Sequence, residues 1–252
     1  MDDARSKELF LEVFLALPRQ GPGNRSTTEQ ALALCVGLPD APRILDLGCG
    51  TGGQSFLLTE ITGGTVTAVD ILPAAVRRLA ERAAERGFEN RVTPLVGDIA
   101  HLDLEPAAFD LVWSEGAFYN LGIGPALRAS RKLIKPGGWL AFSDCVYRSD
   151  DPPAELRSTF DVEYPTMGTA ATVTALVAAG GFEPAGHFTL PDEAWEADFY
   201  RPMRARITEL RGKYAADADA LAVMDALAAE PAGYPELSRH VAYEFFVARR
   251  GE

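Results

Sequence analysis

The chain has 252 residues, 47% of them hydrophobic and 24% charged, the proportions of a globular protein that buries a core in one generous domain, here read as a single unit over 1–252. Aspartate and glutamate outnumber lysine and arginine 36 to 24, a formal charge of −12 with no basic run, which makes nucleic acid a poor partner. No apolar stretch reaches membrane-spanning length, and the three cysteines are too scattered for a zinc site, so the sequence points to no membrane, no metal and a reducing cytoplasmic setting.

Residues 1–40 read as an N-terminal helical segment. Its apolar stretch 9–17 is interrupted by Glu12 and lacks a cleavage-like site, which indicates an amphipathic helix and not a signal peptide. Residues 43–47 form an apolar run that ends in a glycine cluster, and 65–70 a β-branched run that ends in a carboxylate. Pro73 suits the first turn of a helix over 73–86, where Val76, Leu79, Ala80 and Ala83 share one face. Runs 92–96, 109–113 and 139–143 read as further strands. After Gly180 and Gly181, which close a helix, 183–190 and 240–248 read as the last two strands. Between them, 191–238 reads as a helical insertion, with Met203, Ile207, Leu210 and Tyr214 as one stripe and a second apolar helix over 220–229. Strand and helix alternating in this way predict an α/β fold, a mostly parallel sheet covered by helices on both faces.

The strongest local signal is Asp46-Leu47-Gly48-Cys49-Gly50-Thr51-Gly52-Gly53, directly after the first strand. Glycines there allow positive φ and close approach of a ligand, and the loop presents amides at the start of the next helix. Gly48, Gly50 and Gly53 also satisfy the G-x-G-x-x-G of dinucleotide enzymes, with Asp70 about 20 residues on, so an NAD(P)-dependent oxidoreductase is one reading. Asp46 argues against it: a carboxylate before the glycine turn opposes a pyrophosphate and suits a ligand carrying an ammonium and a sulfonium. Asp70 can accept from both hydroxyls of a ribose. Asp98, in Gly97-Asp98-Ile99, can accept from the adenine amine while Ile71 and Ile99 sandwich the ring. Each aspartate alone is equally a turn or cap residue, but successive strand ends line one edge of an open sheet, where such folds bind ligands.

The order of these motifs resembles the class I S-adenosylmethionine (SAM)-dependent methyltransferases over nearly the whole chain. The 44–52 stretch matches their first motif, Asp70 their acidic residue after the second strand, and Gly97-Asp98-Ile99 their adenine-side motif. Leu133 to Gly138 matches the turn into the fifth strand. The resemblance implies a Rossmann-like seven-stranded sheet whose last strand is antiparallel and beside the sixth, with the insertion between them. It also implies SAM contacts at Asp46, Gly48, Gly50, Asp70, Asp98 and Ser114. Within the family the chain is similar to bacterial small-molecule methyltransferases of the ubiquinone-biosynthesis type, and residues 19–23 and 113–120 resemble a narrower subgroup.

Gln20 is a candidate to fold over the cofactor, and Gln54 to reach its methionine end. Methyl transfer from a sulfonium mainly requires alignment; a base is needed only for an acceptor that arrives protonated. Glu115 is the candidate base and Tyr119 a positioning residue, with Tyr164 as its alternative. The expected partner is a small-molecule methyl acceptor. A SAM-binding protein without turnover is the remaining alternative. The 191–238 insertion is expected to cap the acceptor pocket; the competing role, packing or dimerisation, leaves a homodimer open.

Overall fold

The computed structural model describes residues 3–251. Seven strands form one sheet in the order β3-β2-β1-β4-β5-β7-β6. These are β1 (Arg43–Leu47), β2 (Thr65–Asp70), β3 (Val92–Val96), β4 (Phe109–Glu115), β5 (Ile134–Tyr147), β6 (Phe182–Thr189) and β7 (Val241–Arg250). Neighbours from β3 through β5 pair in parallel, and β7 inserts antiparallel between β5 and β6. The strand order reverses between β1 and β4, so their C-terminal ends open a crevice at the switch point. This is the expected seven-stranded, Rossmann-like architecture with its antiparallel last strand.

Helices cover both faces. One core unites Leu45, Leu47, Val112, Phe142 and Phe246 with α5 (Ile123–Leu133) and α7 (Ala170–Ala179); α6 (Ala154–Glu163) lies between β5 and α7 in the chain. The other unites Ile44, Val66, Trp113 and Phe245 with α3 (Gly53–Thr62) and α4 (Pro73–Glu85), and α2 (Arg25–Leu34) contributes Ala31 to it. Pro73 does occupy the first turn of α4. A third core lies apart from the sheet. Leu9 and Val13 of α1 (Asp3–Phe14), together with Leu17, pack on Phe199, Met203, Ile207 and Leu210 and on Val223 and Met224. The N-terminal helix and the 191–238 insertion therefore build one helical layer. Its frame is a run formed by α8 (Glu193–Trp195), a π-helical turn Glu196–Tyr200 and α9 (Arg201–Lys213), followed by α10 (Ala218–Leu237).

Two differences from the sequence reading have clear causes. β5 is much longer than 139–143: it begins where Ile134 pairs with Phe109, and beyond Ser143 it continues because β7 supplies a ladder that β4 does not. α10 does not stop at 229 but runs through Pro231 and Pro235. Each proline lacks an N–H and leaves a carbonyl one turn earlier unpaired. Burial of Pro231 and the tilted contact of Tyr234 with Trp195 at 4.5 Å compensate.

Candidate active site

The loop from Gly48 to Gly52 leaves β1 and enters α3 beneath the crevice. Gly48 has φ +75°, and a side chain there would overlap the Ala117 methyl; Gly50 has φ +54° and its Cα faces the Gln20 amide. Only glycine meets both demands. Asp70, at the end of β2, ties the loop down: its Oδ2 accepts from Gly50 N–H at 2.9 Å and its Oδ1 from Leu72 N–H at 2.9 Å. A carboxylate has about four acceptor sites, so two remain for a ligand.

Asp46 is fully buried under this loop. Its Oδ2 accepts from the Ser55 hydroxyl at 2.5 Å, whereas Oδ1 has no partner. Burial, reinforced by nearby Glu115, pushes its pKa up to about 7, against the opposing pull of Ser55, Arg19 and Gln54. Gln54, buried on the first turn of α3, is thus beside Asp46. An interior carboxylate oxygen with no donor at a glycine loop fits a cationic group of a bound ligand.

A strap leading from the helical layer, residues 18–23, crosses the loop. Gln20 was expected to contact the ligand; every polar position of its amide is instead taken by protein. Its Nε2 donates to Phe14 O at 2.9 Å and Leu17 O at 3.2 Å, and its Oε1 accepts from Thr51 N–H at 2.9 Å and from the Thr51 hydroxyl at 3.2 Å. Gln20 holds the loop in shape. Arg82 of α4 adds a clamp, donating to Thr51 O at 2.9 Å and Pro18 O at 3.3 Å.

Glu115, expected as the base, is bound on both oxygens. Oε2 forms an ion pair with Arg19 and Oε1 accepts from the Trp113 indole at 2.8 Å. The two side chains are 5% and 4% exposed, so Glu115 anchors the strap to the end of β4, and burial together with the Arg19 pair turns it away from an acceptor. Ser114, expected to touch the cofactor, is also buried, and its hydroxyl donates to Leu47 O at 2.9 Å, locking β4 to β1.

The other candidate residues follow the ends of β2, β3 and β4. Ile71, directly after β2, is 64% exposed, an apolar surface next to Asp70. Asp98 caps a short 3-10 turn by accepting from Ala100 N–H at 2.9 Å and approaches His101 Nδ1 at 3.0 Å; these contacts hold its carboxyl below the usual range. Its neighbour Ile99 is half buried against the core. Tyr119 is 41% exposed, with its ring 5.9 Å from that of Tyr164.

Two participants escaped the sequence reading. Arg19 is one; a lone cation in a glycine-proline segment signals an anchor only once its acid is known. Asp144 is the other, and its signal was present: a charged residue inside an otherwise apolar strand. The helical layer meets the same end of the sheet. Trp195 contacts Tyr243 edge-on at 5.3 Å, and the Tyr243 hydroxyl sits against Gly116, just past β4.

Known proteins show the same framework. The malonyl-(acyl-carrier protein) O-methyltransferase of Herminiimonas arsenicoxydans is 32% identical over 184 residues, covering 69% of this chain and 65% of that one. The methyltransferase GfsG of Streptomyces halstedii is 30% identical over 107 residues, 42% of this chain but only 38% of its own length. A SAM-dependent methyltransferase from Geobacter sulfurreducens, solved with S-adenosylhomocysteine, superposes with a TM-score of 0.80 at 19% identity, covering 96% of this chain and 97% of that one. The family described as a methyltransferase domain matches residues 39–204, the span that carries the glycine loop, Asp70, Asp98 and β5, and the chain belongs to it.

Proposed function

We propose that the protein transfers the methyl group of SAM to a small-molecule acceptor held between the sheet edge and the helical layer. The observation that carries this reading is Asp46, a buried carboxylate with a vacant Oδ1 under the glycine loop. That position repels a pyrophosphate and attracts the ammonium of a methionine moiety, which disfavours a nicotinamide dinucleotide. Bound SAM supplies a sulfonium-activated methyl group. The chain supplies the rest. Asp46 and Gln54 would hold the amino-acid end, Asp70 the ribose hydroxyls, and Ile71, Asp98 and Ile99 the adenine. The rigid loop, clamped by Gln20 and Arg82, fixes the methyl donor in line with an acceptor; such alignment supplies much of the acceleration.

Residues 191–238 act as the cap over that acceptor, a reading supported by the Trp195–Tyr243 contact at the sheet edge. A capped crevice and an acidic chain disfavour polymers as substrates. Among the described residues no helix is long and apolar enough to cross a membrane. The buried free thiols of Cys35 and Cys49 suit a reducing cytoplasm. The exposed outer faces of the cap leave room for a homodimer.

Calorimetric titration with S-adenosylhomocysteine and with NAD tests the cofactor. Binding of the former alone is expected; NAD binding without it would overturn the proposal. A metabolite screen that reads out S-adenosylhomocysteine identifies the acceptor, and tight binding with no turnover on any acceptor would leave a SAM-binding protein. Hydrogen exchange with S-adenosylhomocysteine and acceptor present should protect 191–238 if it is a cap.

A further inference from the structure

β5 outruns β4 at its C-terminal end. Glu115 is paired with Ser143, and from Asp144 to Val146 the strand is paired only with β7, while Tyr147 also bridges to Thr169. Asp144 thus stands beyond the end of β4, beside the turn that carries Tyr119. It is fully buried, its Oδ1 accepts from Cys145 N–H at 2.8 Å, and its Oδ2 accepts no hydrogen bond. No ion pair among the described residues includes it. The groups around it are uncharged or acidic. The Tyr164 hydroxyl and the Tyr119 backbone N–H lean toward the carboxylate and favour its charged form without completing the shell of Oδ2. Tyr243 and Cys145 lie within electrostatic reach; burial holds both of them protonated, and the Asp144 charge adds to it. Glu244 faces Asp144 across the β5–β7 pair but is engaged by His187 at 2.5 Å and Thr189 at 2.6 Å. Burial pushes the Asp144 pKa up to about 7.

An interior carboxylate with a vacant oxygen and no cation is an unbalanced group. What balances it is a ligand that brings N–H donors and positive charge, and aromatic rings nearby favour the same ligand. An anionic acceptor is opposed by Asp144 itself, since Arg19 balances Glu115 and the SAM ammonium would balance Asp46. A neutral alcohol would satisfy one lone pair and leave the charge unmet.

We propose that Asp144, flanked by Tyr119 and Tyr164, is the acceptor-binding carboxylate of this site, and that the acceptor is a small amine which Asp144 anchors and deprotonates. The inference rests on the methyltransferase reading above. The ammonium donates to Oδ2 and passes one proton to it. The freed nitrogen lone pair forms the new N–C bond, and the electrons of the breaking C–S bond stay on sulfur. The products are the N-methylated ammonium and S-adenosylhomocysteine, and Asp144 releases its proton to solvent. Tyr164 is a positioning residue, since its hydroxyl favours the ionised form of Asp144.

Wild type, Asp144→Asn, Asp144→Glu and Tyr164→Phe are first titrated with S-adenosylhomocysteine. They are then assayed with SAM against a panel of small primary and secondary amines and the matched alcohols and carboxylic acids. All four proteins should bind S-adenosylhomocysteine alike, and only amines should be turned over. Wild-type kcat should rise with pH through about 7 as Asp144 ionises. Asp144→Asn should lower kcat about a hundred- to ten-thousand-fold and abolish that limb. Asp144→Glu should keep the limb, and Tyr164→Phe should move it to higher pH. Failure of wild type to bind S-adenosylhomocysteine refutes the methyltransferase reading itself. Binding without turnover of any amine, or an Asp144→Asn protein with the wild-type rate and profile, overturns the Asp144 proposal alone. If Asp144→Asn does not fold, an unshifted limb in Tyr164→Phe overturns it equally.

Discussion

The Arg19–Glu115 pair is the point at which the helical layer is fastened to the sheet, and breaking it should be felt in both stability and cofactor affinity. Both side chains are almost wholly buried. Arg19→Met leaves the Glu115 carboxylate in the interior with only the Trp113 indole as partner. Removing one member of a buried pair costs about 3–5 kcal/mol. The surviving indole bond to Glu115 places Arg19→Met at about 3 kcal/mol, the lower end of that range. Glu115→Gln keeps an acceptor for the indole but turns an amide toward the guanidinium, and it should cost about as much. The double variant leaves no buried charge unpaired, so its cost should fall about 2 kcal/mol short of the sum of the two singles. Urea unfolding at neutral pH with unchanged m-values measures all three, and a total stability of about 5–15 kcal/mol leaves the singles folded enough to study. The strap also carries Gln20 onto Thr51, so Arg19→Met should weaken S-adenosylhomocysteine binding about tenfold. Single variants that each cost less than about 1 kcal/mol and add without coupling would match an exposed pair and refute the reasoning.

Three further outcomes follow from the same geometry. Asp46 has a raised folded pKa of about 7, so its contribution to stability is fully present below its unfolded value near 3.8 and is lost as pH rises toward 7; Asp46→Asn should gain on wild type by up to about 4 kcal/mol between pH 4 and pH 8 in urea unfolding, while binding S-adenosylhomocysteine more weakly at pH 8. Asp70→Ala removes the acceptor for Gly50 and two lone pairs facing the crevice; calorimetry should show a loss on the order of 2–4 kcal/mol in S-adenosylhomocysteine affinity, and undiminished affinity in folded protein would remove Asp70 from the site. Gly48→Ala combines positive φ with a clash against Ala117 and should cost more than about 2 kcal/mol; adding Ala117→Gly should recover the clash but not the backbone strain, and full recovery would show that φ does not matter there.

What the sequence determined by itself is what short-range pattern can encode. The β-branched run into Asp70, the glycines that only a tight strand-to-helix turn requires, and the apolar stripe of α4 each involve neighbours within a few residues. They sufficed for the sheet, for its antiparallel last strand by resemblance, and for the placing of Asp46, Asp70 and Asp98 at or just past successive strand ends. Which surfaces cover one another is set by contacts between distant segments. The stripe Met203, Ile207, Leu210 announces a buried face, but nothing in its spacing says that Leu9 and Val13 of the N-terminal helix bury it. Glu115 and Ser114 sit where an active residue would, yet Arg19, Trp113 and Leu47 occupy their polar atoms. Asp144 gains its vacant oxygen because β7 folds back to extend β5 beyond β4. Periodicity records that a face is apolar or a strand begins, because those depend on local geometry. Partnering depends on contacts between distant segments, and the free energy of those contacts is set only when the chain has closed.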